Sequence, residues 1–334
     1  MVQYHIQNLL SLLQAYVKPN NPNHDVLEAE YVAWIDESSF LSDAHKKAWK
    51  RAELPLLMSR VFPESDQAHL RVSLEYMMLF LMLEQLTDTP ATAAEAQRWA
   101  DIFVQAFKQT LGEAKGPASV MKHLASRVMG AVDETYRPYL IASNVLLAEG
   151  VVKEALDREN PTHDLTLEAY MGARRDSIGL RPFLDFGRWI WDLDIPQDVL
   201  AHPAIAKLEE ETIDMVSLTN DLYSYRKECF ESGAHHNYVT VAMQDPIAAI
   251  PAADRQAAID YTCKQFSETL ADFHRRTAEL PSFGADADKK IAQYVSVMMD
   301  LVVGNIQWSL ACRRYGHSDA SGVWGDVVFE MDPM

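Results

Sequence analysis

Glycine is scarce in this 334-residue chain: 13 residues, about 4% where globular proteins average near 7%, and none forms a phosphate-cradling loop or a G-x-G-x-x-G run. Doubly wound nucleotide-binding folds lose their sequence support. Cysteine is scarcer still, and Cys229, Cys263 and Cys312 show neither zinc-site spacing nor the pairing of a disulfide scaffold, as expected of reduced thiols in a cytosolic protein. Basic charge is also short. Thirty Lys plus Arg against 48 Asp plus Glu leave a net charge of −18, the wrong sign for neutralising nucleic-acid phosphates over a broad surface. The longest apolar run, Met77 to Leu83, stops at Glu84, well short of the ~20 residues that span a bilayer. Met1 to Leu13 has no basic cluster ahead of an apolar run, so no signal peptide is evident. The expectation is a soluble, cytoplasmic chain with no nucleic-acid partner and no membrane insertion.

Strand signals are thin, since β-branched clusters such as Tyr238 to Ala242 are short. Helical periodicity fills the chain instead. Apolar residues recur at three and four over about 23–37, 64–88, 91–112, 117–132, 134–158, 164–178, 203–231, 254–277 and 284–314. Breakers fall between them at Pro19 to Pro22, Pro63, Gly116-Pro117, Pro182, Pro196, Pro203 and Pro281. No long linker, repeat or low-complexity tract divides the chain. These features predict one all-α domain over 1–334, with an irregular start over 1–22. A tail over 316–334 is expected to fold Trp324, Val327 and Phe329 back onto the bundle.

Four segments carry chemistry. In Asn220-Asp221-Leu222-Tyr223-Ser224-Tyr225-Arg226-Lys227-Glu228, steps of four residues place Asn220, Ser224 and Glu228 on one helical stripe. An amide, a hydroxyl and a carboxylate are the oxygen donors that Mg²⁺ accepts, leaving its other positions to water and phosphate oxygens. A solvated helix face would look similar, but Met215, Val216 and Leu222 set this helix against a core. Tyr76, Phe80, Glu84 and Asp88 share a second stripe, where an aromatic surface leads to two carboxylates; plain core and a solvated helix end are the alternatives. Around Arg174-Arg175-Asp176-Ser177-Ile178-Gly179-Leu180-Arg181-Pro182, glycine and proline predict a helix break, with Arg181 biased away from the α region. Carbonyls freed there would stabilise a carbocation in a dry pocket, or the segment is a turn with exposed arginines. Finally Trp308 and Tyr315, seven apart, share a face beside Arg313 and Arg314.

Together, from about Tyr31 to Tyr315, these segments resemble the class I terpene synthases, and most closely the fungal, basidiomycete-type sesquiterpene synthase group. Asn220, Ser224 and Glu228 match that family's N-D-x-x-S-x-x-x-E pattern, with Lys227 at its diphosphate-binding lysine. Arg175 matches the diphosphate sensor and Gly179 the effector glycine. Arg314-Tyr315 matches the terminal R-Y pair that binds diphosphate on closure, and His236-Asn237 an H-N dipeptide of the fungal group. One position departs: the D-[DE]-x-x-D motif reads Glu84-Gln85-Leu86-Thr87-Asp88 here. Glu84 is expected to ligate, with Asp88 assisting through water or a neighbouring arginine.

The resemblance implies a helical bundle around a central apolar pocket and Mg²⁺-dependent ionisation of a prenyl diphosphate, three ions being held with the diphosphate. Farnesyl or geranyl diphosphate would give a sesquiterpene or monoterpene hydrocarbon or alcohol. Metal ligands would be Glu84, Asp88, Asn220, Ser224 and Glu228, and diphosphate donors Arg175, Lys227, Arg314 and Tyr315. Tyr76, Phe80, Phe183 and Trp308 would form the aromatic wall. The enzyme would act as a monomer or homodimer. Rival readings are a chain-elongating prenyl transferase, which needs a second aspartate-rich motif, and a non-catalytic helical scaffold related to the family.

Overall fold

The computed structural model describes residues 1–88, 91–160, 165–231, 235–251, 254–316 and 325–332. Among them are fourteen α-helices, which make the protein all-α. They are α1 (His24–Glu37), α2 (Asp43–Ala52), α3 (Leu54–Val61), α4 (Gln67–Thr87), α5 (Ala93–Phe107), α6 (Pro117–Ala131) and α7 (Arg137–Glu159). After these come α8 (Leu167–Ser177), α9 (Leu180–Ile190), α10 (Gln197–Leu200), α11 (Pro203–Glu231), α12 (Tyr238–Gln244), α13 (Arg255–Ala278) and α14 (Ala285–Ala311). Strands β1 (Val2–Ile6) and β2 (Val327–Met331) complete the set. The backbone gathers into two compact units, one of Asn20–Pro161 with Asp176–Leu193, the other of Met1–Pro19, Thr162–Arg175 and Asp194–Met334.

In the first of these, α4 is the central element. Its start is set by Asp66, whose side chain accepts the His69 N–H at 2.9 Å. From Ser73 to Leu83 every residue but Phe80 is buried. A helix enclosed on all sides belongs at a core, and α3, α5, α6 and α7 pack around it. Glycine permits a close approach here: a Cβ on Gly150 of α7 would stand 2.7 Å from the backbone nitrogen of Ser177. The predicted break falls at Gly179, which takes φ 75°. It comes earlier than Pro182 suggested. Arg181 is helical, because Pro182 is the third residue of α9, where a backbone N–H has no intrahelical acceptor to lose.

The other unit is built on α11 and α14, which pack against each other, with α13 against α11. From Glu211 to Tyr225 only Asp214 and Asn220 of α11 escape burial, and α14 is buried without interruption from Val297 to Leu310. Asn305 Nδ2 crosses between them to Thr219 Oγ1 at 3.2 Å.

Residues 1–22, expected to be irregular, hold β1 and a 3₁₀ helix over Leu9–Tyr16. β1 pairs antiparallel with β2 in the register Val2↔Met331 to Ile6↔Val327. Tyr4 and Ile6 alternate inward, as do Val327, Phe329 and Met331. Two strands alone are marginal in water, and α13 supports them. Gln256 on α13 both donates to and accepts from the His5 backbone, at 2.8 and 2.9 Å, in place of a third strand. Val327 and Phe329 are buried on the inner side of β2, while Trp324 lies outside the described residues. Among those residues no helix is long and apolar enough to cross a membrane.

Candidate functional site

The oxygen donors of α11 are organised by a buried neighbour. Asp221, 1% exposed, accepts the Tyr170 hydroxyl at 2.5 Å and the Tyr238 backbone N–H at 2.9 Å through one oxygen. Its other oxygen takes the Arg174 guanidinium at 3.0 and 3.2 Å. The same guanidinium donates to Asn220 Oδ1 at 2.9 Å, and Asn220 Nδ2 reaches the Tyr315 hydroxyl at 3.3 Å. Asn237, the N-cap of α12, donates to the Asp221 carbonyl at 2.9 Å and to Glu228 Oε2 at 3.0 Å. Each of α8, α12 and the segment after α14 therefore touches the Asn220–Glu228 stripe or its neighbour Asp221.

Ser224 and Glu228 show what this stripe lacks. Ser224 Oγ is buried and makes no hydrogen bond of full geometry among the described residues; the Glu228 carboxylate one turn on lies near enough for the hydroxyl to favour its charged form. Burial, and then the charge of Asp221, push the Glu228 carboxyl above its usual range. A cation at this stripe would offset the cost of the Glu228 charge and accept the Ser224 oxygen as a further donor. Among the described residues no three His, Cys, Asp or Glu side chains gather as a metal cage. The mixed amide, hydroxyl and carboxylate set instead suits a hard ion that keeps water and ligand oxygens.

Arg175 is held by α11 as well: it donates to Asp214 Oδ1 and Oδ2 at 2.7 and 2.8 Å, and lies 3.2 Å from Glu210. Lys227 pairs with Glu231 at 2.5 Å, one turn on. Trp308 and Tyr315 meet edge to face with ring centres 5.4 Å apart, not two turns apart on one helix face as expected, because the helix ends at Ala311 and the chain turns back before Tyr315. Arg314 is half-buried.

In the unit built on α4, Glu84 and Gln85 are half-buried and Asp88 is exposed at the helix end, where its N–H still bonds Glu84 O at 2.9 Å. Gln85 is turned to α2: its Oε1 accepts the Trp49 indole N–H at 2.8 Å. An acid here would exchange that neutral bond for a charge, which gives the departure from the aspartate-rich pattern a local physical setting. The arginine beside Asp88 is Arg158, 3.8 Å away and anchored on the Thr87 carbonyl at 2.6 Å. Phe80, half-buried, lies against Gly179, where a Cβ would come within 2.7 Å of its ring.

Tyr76 does not present its ring to a ligand as expected. It is wholly enclosed, packed on Phe107, Phe183 and Phe186, with its hydroxyl donating to Asn144 at 3.0 Å. Its place is in the core behind Phe183. Arg174 also differs from the exposed arginine of the turn reading, being 14% exposed in its ion pair with Asp221. The available signal was the four-residue step from Tyr170 to Arg174, which puts phenol and guanidinium on one face of α8.

The protein is all-α, and its oxygen donors on α11 are of the kind that suits a hard cation. Residues 75–272 match the terpene synthase family 2, C-terminal metal-binding domain, and the chain belongs to that family. It is a class I terpene synthase. It is 28% identical over 309 residues to Delta(6)-protoilludene synthase of Armillaria gallica, spanning 88% of this chain and 84% of that one. Sesquiterpene synthase 3 of Postia placenta is 28% identical over 300 residues, or 90% and 80% of the two chains. In fold the chain is similar to a-eudesmol synthase, with a TM-score of 0.74 at 18% identity over 88% of this chain and 96% of the other. Hedycaryol synthase gives 0.72 at 18%, over 86% and 94%.

Proposed function

We propose that this protein ionises farnesyl diphosphate, with geranyl diphosphate as a shorter substrate, in a Mg²⁺-dependent reaction. It releases diphosphate and a sesquiterpene or monoterpene hydrocarbon or alcohol. The observation that carries the reading is the amide, hydroxyl and carboxylate of Asn220, Ser224 and Glu228 on one stripe of α11, with the Glu228 carboxyl raised by burial, a donor set that fits Mg²⁺ in a member of a metal-binding family. Relatives named for sesquiterpenes support the fifteen-carbon substrate. Three free thiols suit a cytoplasmic enzyme.

Heterolysis of an allylic C–O bond leaves a carbocation and a highly charged diphosphate, so the leaving group must be held as its charge develops. Three Mg²⁺ ions, when bound, supply Lewis acidity to the diphosphate oxygens. Asn220, Ser224 and Glu228 would hold ions in their unit, and Glu84, with Asp88 steadied by Arg158, would form the acidic set of the other. Arg175 exchanges the carboxylates of Asp214 and Glu210 for diphosphate, and Lys227, Arg314 and Tyr315 donate further hydrogen bonds. Aromatic residues such as Phe80 and Phe183 in one unit and Trp308 in the other would supply the apolar, π-rich surroundings that a carbocation needs. The Gly179 carbonyl, at the break between α8 and α9, would offer the cation the negative end of its own dipole.

Thermal unfolding with and without Mg²⁺ and inorganic diphosphate tests the binding half of this reading. At about a hundred times the dissociation constant, mass action adds ~2.7 kcal/mol, and the melting temperature rises accordingly. An unchanged melting temperature would identify a scaffold. Isopentenyl diphosphate supplied with an allylic partner is expected to yield no longer chain; a longer one would make the protein a prenyl transferase.

A further inference from the structure

Metal ligands in proteins are commonly aimed by groups that never touch the ion, and losing such a group typically weakens metal binding about 10–100-fold. Asn220 has particular need of one. A carboxamide is nearly symmetric in shape, yet only its oxygen binds a cation; turned over, it presents an NH₂ to the ion.

Arg174 settles that choice. A guanidinium donates and never accepts, so the Asn220 atom 2.9 Å from Arg174 Nη2 is the oxygen. That oxygen has two lone pairs, and the arginine takes one. On the other side, Asn220 Nδ2 faces the Tyr315 hydroxyl. Arg174 is itself fixed: Asp221 receives its Nε and Nη2. Asp221 is pinned in turn by the Tyr170 hydroxyl and the Tyr238 N–H. The Asp221 charge also balances the guanidinium, so a second cation nearby meets less repulsion.

We infer that Arg174 is a positioning residue of the ion-binding stripe: anchored on Asp221, it turns the Asn220 carboxamide oxygen-outward and keeps one lone pair for Mg²⁺. The inference rests on the proposed function above, and goes beyond it in assigning a role to an arginine outside the matched motif. Arg174 acts by orientation, not by occupying the ion's place. The two roles predict opposite effects, because removing a competitor would tighten Mg²⁺ binding and removing an orienter weakens it.

The test is a Mg²⁺ titration followed by thermal shift at saturating inorganic diphosphate, on full-length wild type and Arg174→Lys. Lysine keeps the charge beside Asp221 but loses the planar fork that reaches both residues. The expected result is a Mg²⁺ midpoint raised about tenfold or more, with the ligand-free melting temperature within a few degrees of wild type. An unchanged or lower midpoint in Arg174→Lys, against a wild type that responds, would overturn the inference and leave the proposed function standing. A wild type with no response would overturn both. Should Arg174→Lys not fold, Arg174→Gln combined with Asp221→Asn removes both buried charges together, and the same midpoint decides.

Discussion

Glu228→Gln is expected to lower turnover by two to three orders of magnitude while leaving the fold intact, about the loss that follows removal of one preorganised electrostatic group from an active site. The two side chains have the same shape, and the amide oxygen of glutamine still accepts the Asn237 bond now made at 3.0 Å. What disappears is the negative charge. Burial and the neighbouring Asp221 charge raise the pKa of Glu228 in the folded protein. Ionisation therefore costs the folded state stability, beginning at the ordinary carboxylate pKa and growing as pH rises through the raised one. At neutral pH and without metal, the glutamine variant is thus expected to melt no lower than wild type. Asn220→Ala is expected to lose comparable activity by removing the oxygen proposed to bind an ion, with about 1 kcal/mol of stability lost with its hydrogen bonds. Steady-state turnover and unfolding curves on the same preparations check both variants. Full activity in both would remove the α11 stripe from the chemistry.

The largest effect on stability is expected at Asp221. It is not an ion-binding residue in this account, yet its carboxylate receives Tyr170, Arg174 and the Tyr238 N–H in a site 1% exposed. Asp221→Ala leaves a guanidinium without its counter-charge and two further donors unsatisfied, which costs about 3–5 kcal/mol. Asp221→Asn keeps one acceptor oxygen but turns an NH₂ toward the donors on the other side, so it is expected to lose less than Asp221→Ala without matching wild type. Chemical denaturation measures the difference directly. An Asp221→Ala midpoint close to wild type would mean that water or a rearranged Arg174 restores the lost partners, and that the buried network holds α8 and α12 less firmly than its hydrogen bonds indicate.

The long helices were legible because burial and period agree over many turns. α11, α13 and α14 occupy nearly the ranges their apolar spacing predicts. Short elements were not. α2 and α3 are brief, and Pro55 sits in the first turn of α3, where proline reads equally well as a loop signal. The β-branched run of α12 reads as a poor strand, and it is helical because Asn237 caps it and Tyr238 joins the Asp221 network. β1 and β2 stand at opposite ends of the chain, and no local window shows that one five-residue segment pairs with the other. The same limit applied at the site. The spacing of Asn220, Ser224 and Glu228 is local to one helix and visible. Arg174, Asn237 and Trp49 act on residues of other elements, so their roles emerge only from the fold. Tyr76 shows the converse, since a residue on the stripe leading to the acids is taken wholly into the core.

The central claim is the proposal that the oxygen donors of α11 bind Mg²⁺ on which the ionisation of a prenyl diphosphate depends. Incubation of the wild-type protein with farnesyl diphosphate, followed by gas chromatography of the headspace, tests it most directly. With Mg²⁺ a volatile fifteen-carbon hydrocarbon or alcohol is expected to accumulate with an equal amount of inorganic diphosphate, and chelation of the metal is expected to abolish both. Intact farnesyl diphosphate after prolonged incubation with Mg²⁺, or product that forms equally well under chelation, would contradict the account.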